Sequence, residues 1–391
     1  MIATDFVPAL SSRVAQKFQE VFASNGALLV RSPGRVNLIG EHTDYNNGFV
    51  LPAAIDKAIY LAIERRRDAE VHLFAMDLDQ SYRGPIQPLA PSALHWPNYI
   101  LGVVEQLQRM GHVIGGFNCV FAGNIPLGAG MSSSAALECA TAFALNQTFG
   151  LGLDPMTMVK LSQKAENEFV GLQCGIMDMF ASMFGRKDQV IRLDCQSLDY
   201  TYFPFKTDGL RILLLDTQVE HSLASSEYNV RRQQCEAGVK LVQRHHPGVK
   251  SLRDVTTDML AAFVAPADEL IYRRCSFVVE ENERVLAGTD DLQRGDVAAF
   301  GQKMYASHEG LSRKYEVSCP ESDWLVEQVR GAEGVLGARQ MGGGFGGCTI
   351  NLVKAGVIEG LVAGIAPLYR KAMNRELKWY IGQIENGTSP V

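Results

Sequence analysis

Between Gly26 and Tyr82 the chain alternates short apolar runs with polar edges: ALLVRSP, FVLPAAI, AIYLAIERR and EVHLFAMD. Runs of this length, rich in Val, Ile, Leu and Phe, predict strands, and together they predict a mixed sheet. The period then lengthens. WPNYILGVVEQLQRMG sets Ile100, Val103, Val104 and Leu107 on one helical face, with Gly111 suited to end the helix. FNCVFAGNIP returns to strand. SSAALECATAFALNQTFG and DPMTMVKLSQKAENEFVG predict two further helices, the second opened by Asp154 as N-cap with Pro155 at the first helical position. In KAENEFVGLQCGIMDMFASMFG, Met177, Ala181 and Phe184 share one face, and Asp178 and Ser182 a neighbouring line. Asp178 is thus a carboxylate set into an apolar stretch.

YFPF and LRILLLDT resume the strand pattern, and the junction between two domains is placed there, giving residues 1–205 and 206–391. Beyond it lie charged helices, SSEYNVRRQQCEAGVKLVQRHH and YRRCSFVVEENERVLAGTDDL. GVLGARQMGGGFGGCTINLV then reads strand, glycine loop, strand, so the second half is α+β. Two domains agree with the length, since 391 residues exceed what one core usually serves. No repeat at solenoid or propeller period occurs.

Composition adds exclusions. Hydrophobic residues are 47% and charged residues 20%, values of a folded globular chain. The net charge of -6, with no basic run longer than ERRR, argues against a nucleic-acid partner. The eight cysteines form no CxxC pair, which argues against zinc and a disulfide framework and for free thiols in the cytoplasm. No apolar run is long enough for a membrane span, and the first residues do not resemble a signal peptide.

Three stretches carry candidate chemistry. In GNIPLGAGMSSSAALECA, glycines and serines precede a good helix former run, an arrangement that fits an anion at the helix start; a serine-capped helix after a turn is the alternative. No lysine lies in it, so it is not a Walker A loop. The second cluster, Gly342 to Gly347, formally satisfies GxGxxG, yet the strand-like CTINLV after it excludes a dinucleotide fold. Its five glycines point to close backbone approach. In GRVNLIGEHTDYNNG, Glu41, His42 and Asp44 lie on a loop between two strands, and carboxylates plus an imidazole suit a hydroxyl-rich ligand; a solvated turn is the alternative. Glu166 lies on the helix before Asp178. If that helix meets the serine loop, a carboxylate and a hydroxyl can share Mg²⁺.

Together these segments resemble the GHMP family of small-molecule kinases over nearly the whole chain. PLGAGMSSSAA is similar to the family's nucleotide loop and MGGGFGGCTI to its C-terminal glycine motif. GRVNLIGEHTDYNNGFVLPAAID, SSEYNVRRQQCE and AENEFVGLQCGIMD resemble segments of the members that phosphorylate galactose. The resemblance implies a two-domain α+β fold, with an N-terminal domain like one in a ribosomal protein, a C-terminal ferredoxin-like domain and the active site between them. It implies ATP-dependent phosphorylation of the anomeric C1 hydroxyl of D-galactose to α-D-galactose 1-phosphate, the first committed step of galactose catabolism, by a cytoplasmic monomer using Mg²⁺. By position, Asp178 resembles the catalytic aspartate beside the C1 hydroxyl, and Arg35 the arginine that stabilises developing charge. Glu41, His42, Thr43, Asp44, Gly175 and Tyr228 resemble sugar contacts. Gly128, Ala129, Gly130, Met131, Ser132, Ser133 and Ser134 resemble the triphosphate cradle, and Ser134 and Glu166 the magnesium ligands, with Ser133 as the alternative to Ser134.

One position departs from the pattern. The family commonly writes GIMDQ, and position 179 here is Met, which cannot make a glutamine's hydrogen bonds. The expectation is a lost contact to the sugar or to Asp178. A galactose- and ATP-binding regulator on the same fold is the reading from another class; such regulators lack a Ser-Ala pair that Ser134-Ala135 supplies here.

Overall fold

Helix α1 (Leu10–Phe22) opens the computed structural model, which describes residues 9–126, 128–205, 209–219 and 224–391. Its buried Val14 and Phe18 pack on Ala62, Val120 and Ala122 of the first sheet. That sheet is built from β1 (Leu28–Asn37), β3 (Pro52–Arg65), β4 (Glu70–Ala75), β5 (Gln80–Pro85), β6 (Phe117–Gly123) and β13 (Ser389–Pro390), in the order β13-β1-β3-β6-β4-β5. It is mixed, as the run pattern predicts: β4 and β6 are parallel and the other neighbours antiparallel. FVLPAAI and AIYLAIERR, expected as two strands, form short β2 (Phe49–Val50) and then β3 without a break, because Asp56-Lys57 supplies polar edges but no turn.

Strand β1 is bulged between Pro33 and Arg35. A side chain at Gly34 would bring a Cβ to 2.6 Å from the Met131 carbonyl oxygen, so glycine is what lets the serine loop press against β1. Helices α2 (Pro97–Arg109), α3 (Ser133–Phe149), α4 (Pro155–Lys164) and α5 (Met177–Phe184) belong to the same half. Asp154 caps α4 as read, accepting a hydrogen bond from the Thr157 N–H. Past α4 the chain loosens into a π-helical segment, Ala165–Val170, which carries Glu166. Strands β7 (Gln189–Asp194) and β8 (Tyr200–Pro204) extend β2 into a small sheet.

Residues 206–208, at the junction placed by the sequence pattern, lie outside the described residues. Beyond them, β9 (Leu210–Asp216), β10 (Val335–Gln340), β11 (Cys348–Lys354) and β12 (Lys378–Gly382) form an antiparallel sheet ordered β10-β11-β9-β12. The continuous apolar run of β9 is buried on both faces. Ile212 and Leu214 join the main core, while Leu213 and Leu215 pack with Tyr305, Leu325 and Tyr369. Helices α6 (Ala224–Gln243), α7 (Thr257–Phe263), α8 (Glu269–Arg294), α9 (Val297–Gly310), α10 (Pro320–Val329) and α11 (Ile358–Met373) complete this half, with α9 continuing into a π-helical Leu311–Tyr315.

After β12 the chain returns to the first sheet, where Ile384 bridges Ile55 and β13 pairs with β1. All eight cysteines are free thiols, and Cys174 alone is half-buried rather than buried. Among the described residues no helix is long and apolar enough to cross a membrane.

Candidate active site

A cavity of about 550 Å³ lies where β1, the start of α3, the start of α5, the loop after β1 and the Gly342–Gly344 segment converge. At its floor Arg35 grips Asp178 from two sides, Nε to Oδ1 at 2.7 Å and Nη2 to Oδ2 at 2.8 Å. Arg35 is 4% exposed while the Asp178 side chain is 25% exposed, so a desolvated guanidinium holds a carboxylate that is still open to the cavity. Burial opposes its charge, but Asp178, then Glu41, more than offset this and raise its pKa. A third donor, Nη1, reaches the Gly130 carbonyl and ties the pair to the glycine-serine loop.

That loop ends in α3, a helix buried on most of its faces. Ser132 precedes it at φ +57, and among the described residues no side chain caps the helix start. The serine-capped alternative is therefore not what the chain forms: the Ser132 hydroxyl donates to Asp178 Oδ2 instead. The uncapped first-turn N–H groups are left to face the cavity, a ready anion site backed by the helix dipole. Gly128, Gly130, Met131, Ser132, Ser133 and Ser134 line the cavity, whereas Ala129 is fully buried behind it.

On the opposite side, Glu41 is 2% exposed and accepts hydrogen bonds from Arg339 Nη2 at 2.9 Å and the Gly342 N–H at 2.7 Å. Burial pushes its pKa up, yet Arg339, Arg35 and the Gly342 N–H outweigh burial and hold it below its ordinary value. His42 sits at φ +62, and burial lowers its pKa to about 4, so it is neutral. Asp44 is pushed up to about 7, first by burial and then by Asp178. Gly175 passes so close that a Cβ there would lie 2.0 Å from Asp44 Oδ2. Tyr228, from α6, lies 5.3 Å ring to ring from His42. Thr43 does not reach the cavity: it is fully buried, and its hydroxyl donates to the Gly40 and Phe49 carbonyls, closing the loop on itself.

Glu166 is 3% exposed, and burial, followed by lesser effects, raises its pKa to about 7. The Cys174 thiol donates to its Oε2 at 3.2 Å, and the Ser134 hydroxyl favours its ionised form. Glu138, on α3, is fully buried outside the cavity; among the described residues neither of its carboxyl oxygens has a partner, and burial, then Glu166, raise its pKa and favour the neutral acid. The buried Glu166 carboxyl beside the Ser134 hydroxyl, both lining the cavity, fits a divalent cation whose other ligands are phosphate oxygens.

The pattern reading did not identify Arg339, Tyr99, Leu172, Cys174 or Met177 as part of the site, although all but Arg339 line the cavity. Arg339 carries no local signal, since its partner is about 300 positions away. Met179 corrects the lost-contact expectation. It is fully buried among Val50, Cys139, Ile176, Phe180 and Ile191, on the side of α5 away from the cavity. One helical step of about 100° after Asp178 turns it into the core.

A bidentate Arg–carboxylate pair, an uncapped helix start and the buried Glu166 beside Ser134, all around one cavity, suit a small-molecule phosphotransferase site. The chain matches the family descriptions GHMP kinases N terminal domain over residues 98–186, GHMP kinases C terminal over residues 289–359 and Galactokinase galactose-binding signature over residues 16–65. It is 40% identical over 381 residues to a galactokinase of Roseiflexus sp. (strain RS-1), covering 97% of each chain. It is also 40% identical to the galactokinase of Thermotoga maritima, covering 93% of this chain and 99% of that one. The structure of Lactococcus lactis galactokinase complexed with galactose superposes with a TM-score of 0.93 at 32% identity, over 98% of this chain and all of that one. A mevalonate kinase structure at 19% identity and a TM-score of 0.63 shares the fold. The chain belongs to the galactokinase family of GHMP kinases and is a sugar kinase.

Proposed function

We propose that this chain transfers the γ-phosphoryl group of ATP to the anomeric C1 hydroxyl of D-galactose, at the Arg35–Asp178 pair. The observation that carries this is the Asp178 carboxylate, fixed by Arg35 and Ser132 within one cavity with the uncapped start of α3. The sugar lies against Glu41, His42, Asp44, Gly175 and Tyr228, whose acceptors and donors match a row of hydroxyls. Thr43 shapes the loop rather than touching sugar. The triphosphate lies on Gly128, Gly130, Met131, Ser132, Ser133, Ser134 and the first-turn N–H groups of α3.

Asp178 orients the C1 hydroxyl for in-line attack and takes up its proton, while Arg35 faces the charge that develops on the transferred group. Glu166 and Ser134 would hold Mg²⁺, which supplies charge neutralisation between the phosphates when bound.

The test is ATP consumption by the purified chain with Mg²⁺ and, in parallel, galactose, N-acetylgalactosamine, arabinose, glucose or no sugar. Turnover on galactose above all others is expected. Binding of galactose and ATP without turnover on any sugar would overturn the proposal and favour a binding regulator.

A further inference from the structure

The proposed sugar pocket is backed by polar groups that no step above uses. His42 Nδ1 lies 2.8 Å from the Tyr45 hydroxyl, that hydroxyl 2.7 Å from the Tyr315 hydroxyl, and the latter 3.2 Å from the Cys235 thiol. The contacts link three elements: the loop after β1, the π-helical end of α9 and α6. His42, Tyr315 and Cys235 are buried, and the four rings of His42, Tyr45, Tyr228 and Tyr315 pack with centroids 4.8 to 5.8 Å apart where they touch. Asn46 Nδ2 donates to the His42 carbonyl at 2.8 Å, which holds the left-handed backbone that aims the ring. The other ring nitrogen, Nε2, is buried and has no hydrogen-bond partner among the described residues, and His42 lines the cavity.

We propose that Tyr45, Tyr315 and Cys235 form a hydrogen-bond relay that keeps the His42 proton on Nε2, so that His42 meets the sugar as a donor. The proposal rests on the galactose reading of the cavity and deepens it by naming positioning residues behind a sugar contact. A neutral imidazole has one donor and one acceptor, and what Nδ1 does fixes what Nε2 can offer. Two proton orders satisfy the relay. In one, each group donates toward the ring, and the Tyr45 phenol ends on Nδ1. In the other, Nδ1–H starts a chain that ends on sulfur. The first places a phenol proton on the strongest acceptor present, whereas the second spends it on the weakest. Glu41 beside the ring and Arg231 beyond it act oppositely on its charge, and burial prevails to keep it neutral.

Long-range ¹H–¹⁵N spectra of the ligand-free, ¹⁵N-labelled protein report the tautomer directly, with His42 assigned by its absence in His42→Gln. Nε2 protonation is expected in the wild type, and Nδ1 protonation would overturn the relay. In Tyr45→Phe, which keeps the ring packing, the tautomers should mix and KM for galactose should rise about three- to tenfold with kcat within about twofold. Tyr315→Phe should give a smaller shift in the same direction. An unchanged spectrum and KM in both variants would reduce the cluster to packing and overturn the proposal. If Tyr45→Phe does not fold, the wild-type spectrum and Tyr315→Phe decide alone. Nε2 protonation in a protein that shows no galactose turnover would fault the substrate and leave the relay standing.

Discussion

Replacing Asp44 by Asn should strengthen the fold while weakening the function. The Asp44 carboxyl is 8% exposed and lies beside Asp178 and Glu41, with Arg35 the nearby cation that favours its charge. Burial first, and Asp178 next, raise its pKa from 3.8 to about 7. Because the folded value lies above the unfolded one, the stability contributed by its proton is complete below about pH 4 and is lost until the pH passes about 7. At about 1.4 kcal/mol per unit, the whole interval amounts to about 4 kcal/mol. Asp44 lines two cavities, of about 550 and 620 Å³, and water in them should screen the cost to roughly half, about 2 kcal/mol. Asn keeps the shape and carries no charge to desolvate. Urea unfolding of ligand-free wild type and Asp44→Asn should show the variant ahead, the gap widening by about 1 kcal/mol between about pH 5.5 and about pH 8. KM for galactose should rise at least about tenfold, since a charged acceptor is lost. A gap that does not change with pH, or a variant weaker at the higher pH, would refute the reasoning.

Asp178→Asn should lower kcat by about a hundredfold or more and leave KM within a few-fold, and steady-state kinetics showing near-normal turnover would remove Asp178 from proton transfer. Met179→Gln should lower stability by roughly 2 kcal/mol without raising kcat, because the amide finds an apolar cluster, as a thermal melt would show. Glu166→Gln should weaken Mn²⁺ binding about tenfold in a titration without sugar; equal affinity would place the cation elsewhere. Removing residues 388–391 deletes the Thr388 N–H and hydroxyl that both donate to the Ser182 carbonyl at the end of α5, and should lower both melting temperature and kcat.

What the pattern made legible was local. Asp154 and Pro155 announce α4, the leucines of β9 announce a buried strand, and the glycines of Gly342–Gly344 announce close approach, because each cause lies within a few residues of its effect. Met179 was legible too, since its helical phase points into the core, but comparison with a family motif drew it toward the site. Thr43 shows the limit of a motif read as contacts: it lies between His42 and Asp44, yet its hydroxyl is used up by the Gly40 and Phe49 carbonyls. Arg339 was beyond reach, because only the folded chain brings a guanidinium from β10 to Glu41 and to the Asn37 and Leu38 carbonyls.

The two halves of the chain do not share the work evenly. Arg35 on β1, Asp178 on α5 and the loop before α3 all come from the first half, so the hydrogen bonds that join the proposed reacting groups are made within it, and of the second half the chain's end braces β1 and α5 through β13 and Thr388. The sugar loop is different. Gly40 donates its N–H to Glu281 at 2.8 Å, Phe49 donates to Asn282 Oδ1 at 2.9 Å, and Glu41 is held by Arg339 and Gly342. Glu281 is in turn fixed by the Ser307 hydroxyl at 2.7 Å, so α8, α9 and β10 all grip one loop. His42 at φ +62 and Asn47 at φ +58 hold left-handed backbone that a free loop would relax. It follows that strain on the packing of α8, α9 and β10 against this loop reaches the sugar contacts before it reaches Arg35 and Asp178, and should be read in KM before it is read in kcat.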